Sequence, residues 1–468
     1  MAHARSQVRL RFIVVLAVLL SGSLLCQAHA AGAGAATQKW VATWGQAMTS
    51  QYVRVAGRDG EPLRDVYGQP LEHAPTVDHL TLRQSVNVSA GGVRVRIRLS
   101  NYHGRAPLTV GVARIALGAG HADDLSAIDP DSDRRLSFGG GKRSITIAPG
   151  NEAVSDPVEL RVPALSNVVV SLYFAGPVQL ADFHPMEPAH TTYAVDGDAT
   201  RQPSLAHLPA AKALPRTRDD HLYLLAGVEV EVPEDTRGIV AFGDSITDGA
   251  LASAPGTTWP AVLAGLAQRH GDAAAVVNAG ISANELTTDQ IGAPGAGASG
   301  LKRFLRDVVD RPGVTDVVVL FGANDINRGI DAAGYPNGAS AGDLIAAMRM
   351  LADVAHQHHL RIYAGTVTPF AGFPGWYSPQ REAVRLQFNQ WMRRSGVFDG
   401  VVDFADAVAG AYVPPPLVAQ QSPLPAGMAT VCAGDAGLHP NDRGYAAMGA
   451  LAYDVLFDAK LQPLLGCR

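Results

Sequence analysis

A serine at a probable strand end and a histidine far downstream could together do chemistry in this 468-residue chain. Ser245 lies in Gly243-Asp244-Ser245-Ile246-Thr247, directly after the apolar run Gly238-Ile239-Val240-Ala241-Phe242. That places its hydroxyl at the C-terminal end of a buried strand, where open α/β sheets collect reactive groups. Taken alone, such a serine is as readily a turn or cap residue. A serine hydroxyl is a weak nucleophile near neutral pH and needs a base to take its proton as it attacks a carbonyl. His439, in His439-Pro440-Asn441, is a residue of the right type. It would return the proton to a leaving alcohol and then activate the water that releases the acyl group.

Such residues need a sheet to hold them. After Asp235, apolar segments at about 239–242, 275–278, 317–321, 361–366 and 401–404 alternate with helical patterns at about 259–269, 300–309, 341–358 and 379–395. In the third helical pattern Leu344, Met348, Leu351 and Val354 recur at helical spacing, a face that can cover a sheet. Five such units predict a doubly wound, five-stranded parallel sheet with right-handed crossovers.

From about Trp40 to Val232 the rhythm is different. Short alternating segments bounded by Gly, Pro, Asn and Asp predict an all-β unit of β-sandwich or jelly-roll-like type. In Val93-Arg94-Val95-Arg96-Ile97-Arg98-Leu99 the aliphatic side chains face a core and the arginines are expected on a solvated sheet face. The expected organisation is a leader at 1–30, the β domain at 31–232 and the α/β domain at 233–468.

Four segments of the second half carry a resemblance. Gly243-Asp244-Ser245, Asn278-Ala279-Gly280, Gly322-Ala323-Asn324-Asp325 and His439-Pro440-Asn441 resemble, in order, the four blocks of the SGNH subgroup of the GDSL esterase and lipase superfamily. Trp40-Val41-Ala42-Thr43-Trp44 and Leu80-Thr81-Leu82-Arg83-Gln84 are similar to segments of exported bacterial members with an N-terminal β domain. The resemblance implies a flavodoxin-like sheet, an acyl-enzyme on Ser245, and His439 as the base. It implies oxyanion donors at the Ser245 N–H, the Gly280 N–H and the Asn324 side-chain amide. The family's orienting aspartate stands three residues before the histidine, where this chain has Ala436, so Asp435, four before, is the candidate acid. A backbone carbonyl in its place would leave a dyad, and Asp442 is read as capping the last helix. Asp244 and Asp325 are read as local backbone acceptors.

Arg5, Arg9 and Arg11 precede an apolar stretch from Phe12 to Leu25 and the small-x-small pattern Ala28-His29-Ala30. This fits a secretory signal cleaved near Ala30, hence a secreted or periplasmic protein, with no later segment of membrane-spanning length. Its loss leaves two cysteines, Cys432 and Cys467, which pair in a disulfide or remain thiols. It also takes the formal charge of −5 three units further negative, against nucleic acid as a partner.

His356, His358 and His359 end a helical pattern without a matching ligand set, so neither metal nor cofactor is called for. The aromatic segment 370–377 and the loop 331–341 are candidate borders of the cleft, the former equally an anchored loop. The expected function is a serine esterase that deacetylates carbohydrate or cleaves lipid or other acyl esters. The alternative is a carbohydrate-binding or adhesive protein built on an impaired hydrolase fold.

Overall fold

The computed structural model describes residues 37–51, 74–120, 123–185, 191–212, 214, 221–289, 296–328, 338–373, 375–410, 429–430 and 437–461. The leader, Asp435, Cys432, Cys467 and most of the 331–341 loop lie outside the described residues.

Two five-stranded antiparallel sheets frame the first half, beside smaller two- and three-stranded pairings. One runs Gln38–Gly45, Leu225–Pro233, Gly92–Asn101 and Asn151–Val154, with Val158–Val162 also paired to Gly92–Asn101. The other runs Thr191–Asp196, Leu80–Asn87, Asn167–Phe174, Val112–Leu117 and Arg134–Arg135. Val95, Ile97 and Leu99 from the first sheet share one buried cluster with Leu82, Val170 and Leu172 from the second, as inward faces of a sandwich must.

The arginine face departs from the expectation of simple solvation. Antiparallel register puts Glu229 opposite Arg96, and this glutamate, 1% exposed, takes Arg96 Nε at 2.5 Å and Arg98 at 2.9 Å. Arg98 also reaches Glu152 at 3.2 Å, and the Arg96 guanidinium lies 4.3 Å from the Trp40 ring centroid. Cross-strand carboxylates and an indole thus cover the cations, which period-2 reading of one strand has no means to show.

The second half is a parallel sheet of β1 (Arg237–Gly243), β2 (Ala274–Gly280), β3 (Val314–Leu320), β4 (Arg361–Gly365) and β5 (Gly400–Val402) in the order β2-β1-β3-β4-β5. Its helices are α1 (Ser245–Asp248), α2 (Trp259–His270), α3 (Gly300–Phe304), α4 (Ala323–Arg328), α5 (Ala341–Gln357), α6 (Pro379–Arg394), α7 (Phe404–Val408) and α8 (Asp442–Phe457). A π-helical turn, Leu305–Val309, extends α3. Successive β1 residues alternate between faces. Ile239 and Ala241 join α2, α7 and α8 in one buried cluster, while Val240 and Phe242 join α3, α5 and α6 in the other. Strands covered on both sides must be apolar throughout, hence the unbroken apolar run before the serine.

The sandwich closes the β2 edge of this sheet. Ala42 N donates to Pro312 O at 3.1 Å, and Val276 N donates to Ser89 Oγ at 2.9 Å. Ala275 packs into the sandwich core, and Ala42 and Ala47 pack into that of the α/β unit. An exposed edge strand is therefore capped by the neighbouring unit.

Glu229→Ala should cost about 2 kcal/mol in urea unfolding, because it strands two half-buried arginines. Glu159→Ala, which removes an 82% exposed partner of Arg94, should cost less than about 0.5 kcal/mol. Equal losses would contradict the buried ladder.

Candidate active site

Ser245 follows β1 as the first residue of α1, with its Oγ 2.9 Å from His439 Nε2. Asp244 caps the helix, its Oδ1 accepting from Ile246 N at 3.0 Å, and Gly249 ends it at φ 112°, a conformation that favours glycine. His439 sits just before α8. The cap of that helix is Asn441, whose Oδ1 accepts from Arg443 N and Gly444 N. Asp442, expected to share the capping, instead accepts from Ser253 N, Ser253 Oγ and Thr257 Oγ1, the last at 2.8 Å. It ties the loop after Ser245 to the segment bearing His439. Of the aromatic segment, Phe370 is a buried anchor, while Phe373 meets the His439 ring edge-on at 6.5 Å and packs on Trp376.

The donors around the serine differ in part from expectation. The Ser245 N–H has no acceptor among the described residues. Asn324, 3% exposed, gives one amide N–H to Asn284 O at 3.0 Å, and its second has no acceptor among the described residues. Gly280 is the correction. Its N–H donates to Asn278 Oδ1 at 2.9 Å, and a Cβ on it would stand 2.2 Å from Asp248 N. This glycine is required for the close approach of α1 to β2. Asn278 completes that join, donating to Thr247 O and Asp248 O.

Ala283 carries a further backbone N–H beside this group, one that sequence reading did not single out. Its φ is +63°, unusual for a residue with a Cβ, and its N–H has no acceptor among the described residues. The neighbours on both sides are pinned. Ser282 N and Oγ donate to Asp248 Oδ2 at 2.9 and 2.7 Å, and Asn284 receives Asn324 and Arg303. No glycine marks the turn, so the sequence carries no signal for it.

Arg303 underlies the whole group. It donates to Gly243 O and Ala279 O at 2.8 Å each and to Asn284 Oδ1 at 2.9 Å. Burial lowers its guanidinium to about 10. Burial would raise Asp307, but Arg306 above all, with Arg303 and Arg311, holds it down at about 2. Asp325 accepts from Leu286 N, Thr287 N and Thr287 Oγ1, fixing the next turn. In the histidine cluster at the end of α5, His356 pairs with Asp399 at 3.0 Å. No group of three metal-ligating side chains occurs among the described residues.

Residues 241–447 match the family model of the GDSL-like lipase/acylhydrolase family. The α/β unit therefore carries a GDSL-like lipase/acylhydrolase domain, and the match leaves the β unit outside it. Solved structures similar to this chain include the lipase/acylhydrolase from Enterococcus faecalis, 20% identical over 49% of this chain and 99% of that one, with a TM-score of 0.34. The M. smegmatis aryl esterase is 16% identical over 47% and 97%, with a TM-score of 0.34. A carbohydrate esterase family 2 enzyme plus carbohydrate-binding domain from Corynascus thermopiles is 14% identical over 81% and 94%, with a TM-score of 0.33.

The buried Asp244 gives this GDSL unit a measurable pH signature. Burial pushes its carboxyl up to about 7 from 3.8, Asp325 adding to the rise and the Ile246 N–H and His439 opposing it. Between those values the unfolded chain releases a proton that the folded chain keeps, so this group's contribution to stability falls as pH rises from about 4 to 7 and is flat above. Asp244→Asn keeps the Oδ1 acceptor for Ile246. Its stability relative to wild type should improve by a few kcal/mol between pH 4 and pH 8, read from urea midpoints. A constant difference would show that the carboxyl is ionised throughout.

Proposed function

We propose that this protein is an exported serine esterase that hydrolyses carboxylic esters through an acyl-enzyme. The observation that carries the reading is the 2.9 Å contact of Ser245 Oγ with His439 Nε2 beside uncommitted N–H donors. Nε2 takes the hydroxyl proton as Oγ bonds to the carbonyl carbon, and the electron pair of the C=O bond moves to oxygen. The Ser245 N–H, the Ala283 N–H and the second Asn324 N–H receive that oxyanion. Collapse breaks the bond to the leaving alcohol, which takes the proton from His439. Water then repeats the sequence on the acyl-enzyme, releasing the acid and restoring Ser245. Asp435 is the proposed acid on the other imidazole nitrogen.

Phe373 and Trp376 beside His439 form an apolar wall, suited to an acyl chain or to one face of an acetylated sugar. The intact contact of nucleophile and base favours turnover over binding alone.

Ser245→Ala should reduce hydrolysis of p-nitrophenyl acetate by at least about a thousandfold with circular dichroism unchanged. Unchanged turnover would overturn the assignment. Asn324→Ala should lower kcat by about a hundredfold or more. Ala283→Gly, which keeps the N–H and suits the positive φ, should stay near wild type, whereas Gly280→Ala should show chiefly as lost folded protein. Gly280→Ala that folds normally but loses kcat would restore Gly280 as the donor. Release of acetate from acetylated polysaccharide, compared with acyl esters of graded length, separates the two substrate classes.

A further inference from the structure

A side chain of the β unit, His184, reaches the end of α1. His184 lies on the strand Asp182–His184, which pairs with Thr49–Ser50 and Leu222–Tyr223. It is completely buried, as is Asp248 at the end of α1, and its Nε2 stands 3.1 Å from Asp248 Oδ1. The other ring nitrogen, Nδ1, is 2.8 Å from Ala47 O. A carbonyl only accepts, so Nδ1 carries hydrogen. The Nε2 to Oδ1 contact therefore needs one further proton, held either as imidazolium with carboxylate or as imidazole with carboxylic acid. Both forms leave the pair with no net charge, which suits a site without solvent.

The opposite oxygen of Asp248 holds Ser282 by both its N–H and its hydroxyl. Ser282 precedes Ala283, whose positive φ aims the backbone of the proposed oxyanion segment. The chain of contacts runs from Ala47 O to His184, Asp248 and Ser282. It is anchored at its far end, because Arg311 donates to Gln46 O at 3.0 Å and Arg306 to Met48 O at 3.2 Å. Three successive sandwich carbonyls are thus gripped by three basic side chains.

We propose that His184 is a positioning residue for ester hydrolysis, fixing the oxyanion segment through Asp248 so that the β unit completes the active site. This rests on the esterase reading above. Fixed donors act because they need no reorganisation as charge develops, so a loosened Ser282–Ala283 segment should weaken transition-state binding more than ground-state binding.

The test uses the full chain with p-nitrophenyl acetate and with a methyl trifluoromethyl ketone, which adds to a serine to give an oxyanion. His184→Ala and His184→Asn, the latter keeping only a donor toward Ala47 O, should lower kcat ten- to a hundredfold with KM within about twofold, and should weaken ketone inhibition in parallel. His184→Gln, which keeps a donor toward Asp248, should recover most of the loss. Ser282→Ala should give a smaller loss of the same kind, and with His184→Gln it carries the test if the other variants do not fold. Folded variants whose kcat and ketone affinity match wild type would overturn the proposal while leaving the esterase reading in place. A wild-type protein without turnover would overturn both.

Discussion

The site depends on how the open ends of two parallel strands are satisfied. At the C-terminal edge of the sheet, Gly243 and Ala279 turn carbonyls toward the interior just where the chain leaves for Ser245 and for the 281–284 turn. One guanidinium, Arg303, accepts both duties at 2.8 Å and adds Asn284 Oδ1. Its face lies 4.2 Å from the Phe242 ring centroid, so it also packs on the strand core. Burying an arginine is costly unless it is paired and fully hydrogen-bonded. Asp307, four residues on in the same helical stretch, provides the pairing at 3.2 Å. The strand carbonyls provide the rest.

That solution extends beyond the α/β unit. Asp307 also pairs with Arg306 and Arg311, and these two spend their remaining donors on carbonyls of the sandwich, at Met48 and at Gln46 and Ala226. The π-helical turn brings Arg306 and Asp307 onto the interface, the kind of local widening that often serves a site. The strand ends, the turn at Asn284 and the sandwich edge therefore share one buried electrostatic cluster. A change to any member is felt at the others, because a half-satisfied buried network is worse than none.

Much of this was legible in the sequence, and the remainder was hidden for identifiable reasons. The five strands followed from apolar runs separated by helical periods. Ser245, Asn324 and His439 stood in short blocks that resemble those of a known family. Gly280 misled because glycine has two uses, backbone approach by a ligand and backbone approach by a helix, and only coordinates separate them. Ala283 was invisible because a positive φ on alanine leaves no mark in sequence. Arg303, Arg306 and Asp307 sit in Leu301-Lys302-Arg303-Phe304-Leu305-Arg306-Asp307, which reads as an ordinary amphipathic helix. His184 stands 64 residues from its partner in a different unit. Long-range buried polar pairs have no local period to betray them.

The central claim is that Ser245 is a nucleophile activated by His439, and covalent trapping tests it most directly. After brief exposure to an alkyl fluorophosphonate, intact-protein mass spectrometry should show one adduct per chain, mapped by peptide analysis to Ser245, absent from Ser245→Ala and formed at least about a thousandfold more slowly in His439→Ala. An adduct on another residue, or equal labelling of wild type and Ser245→Ala, would contradict the account.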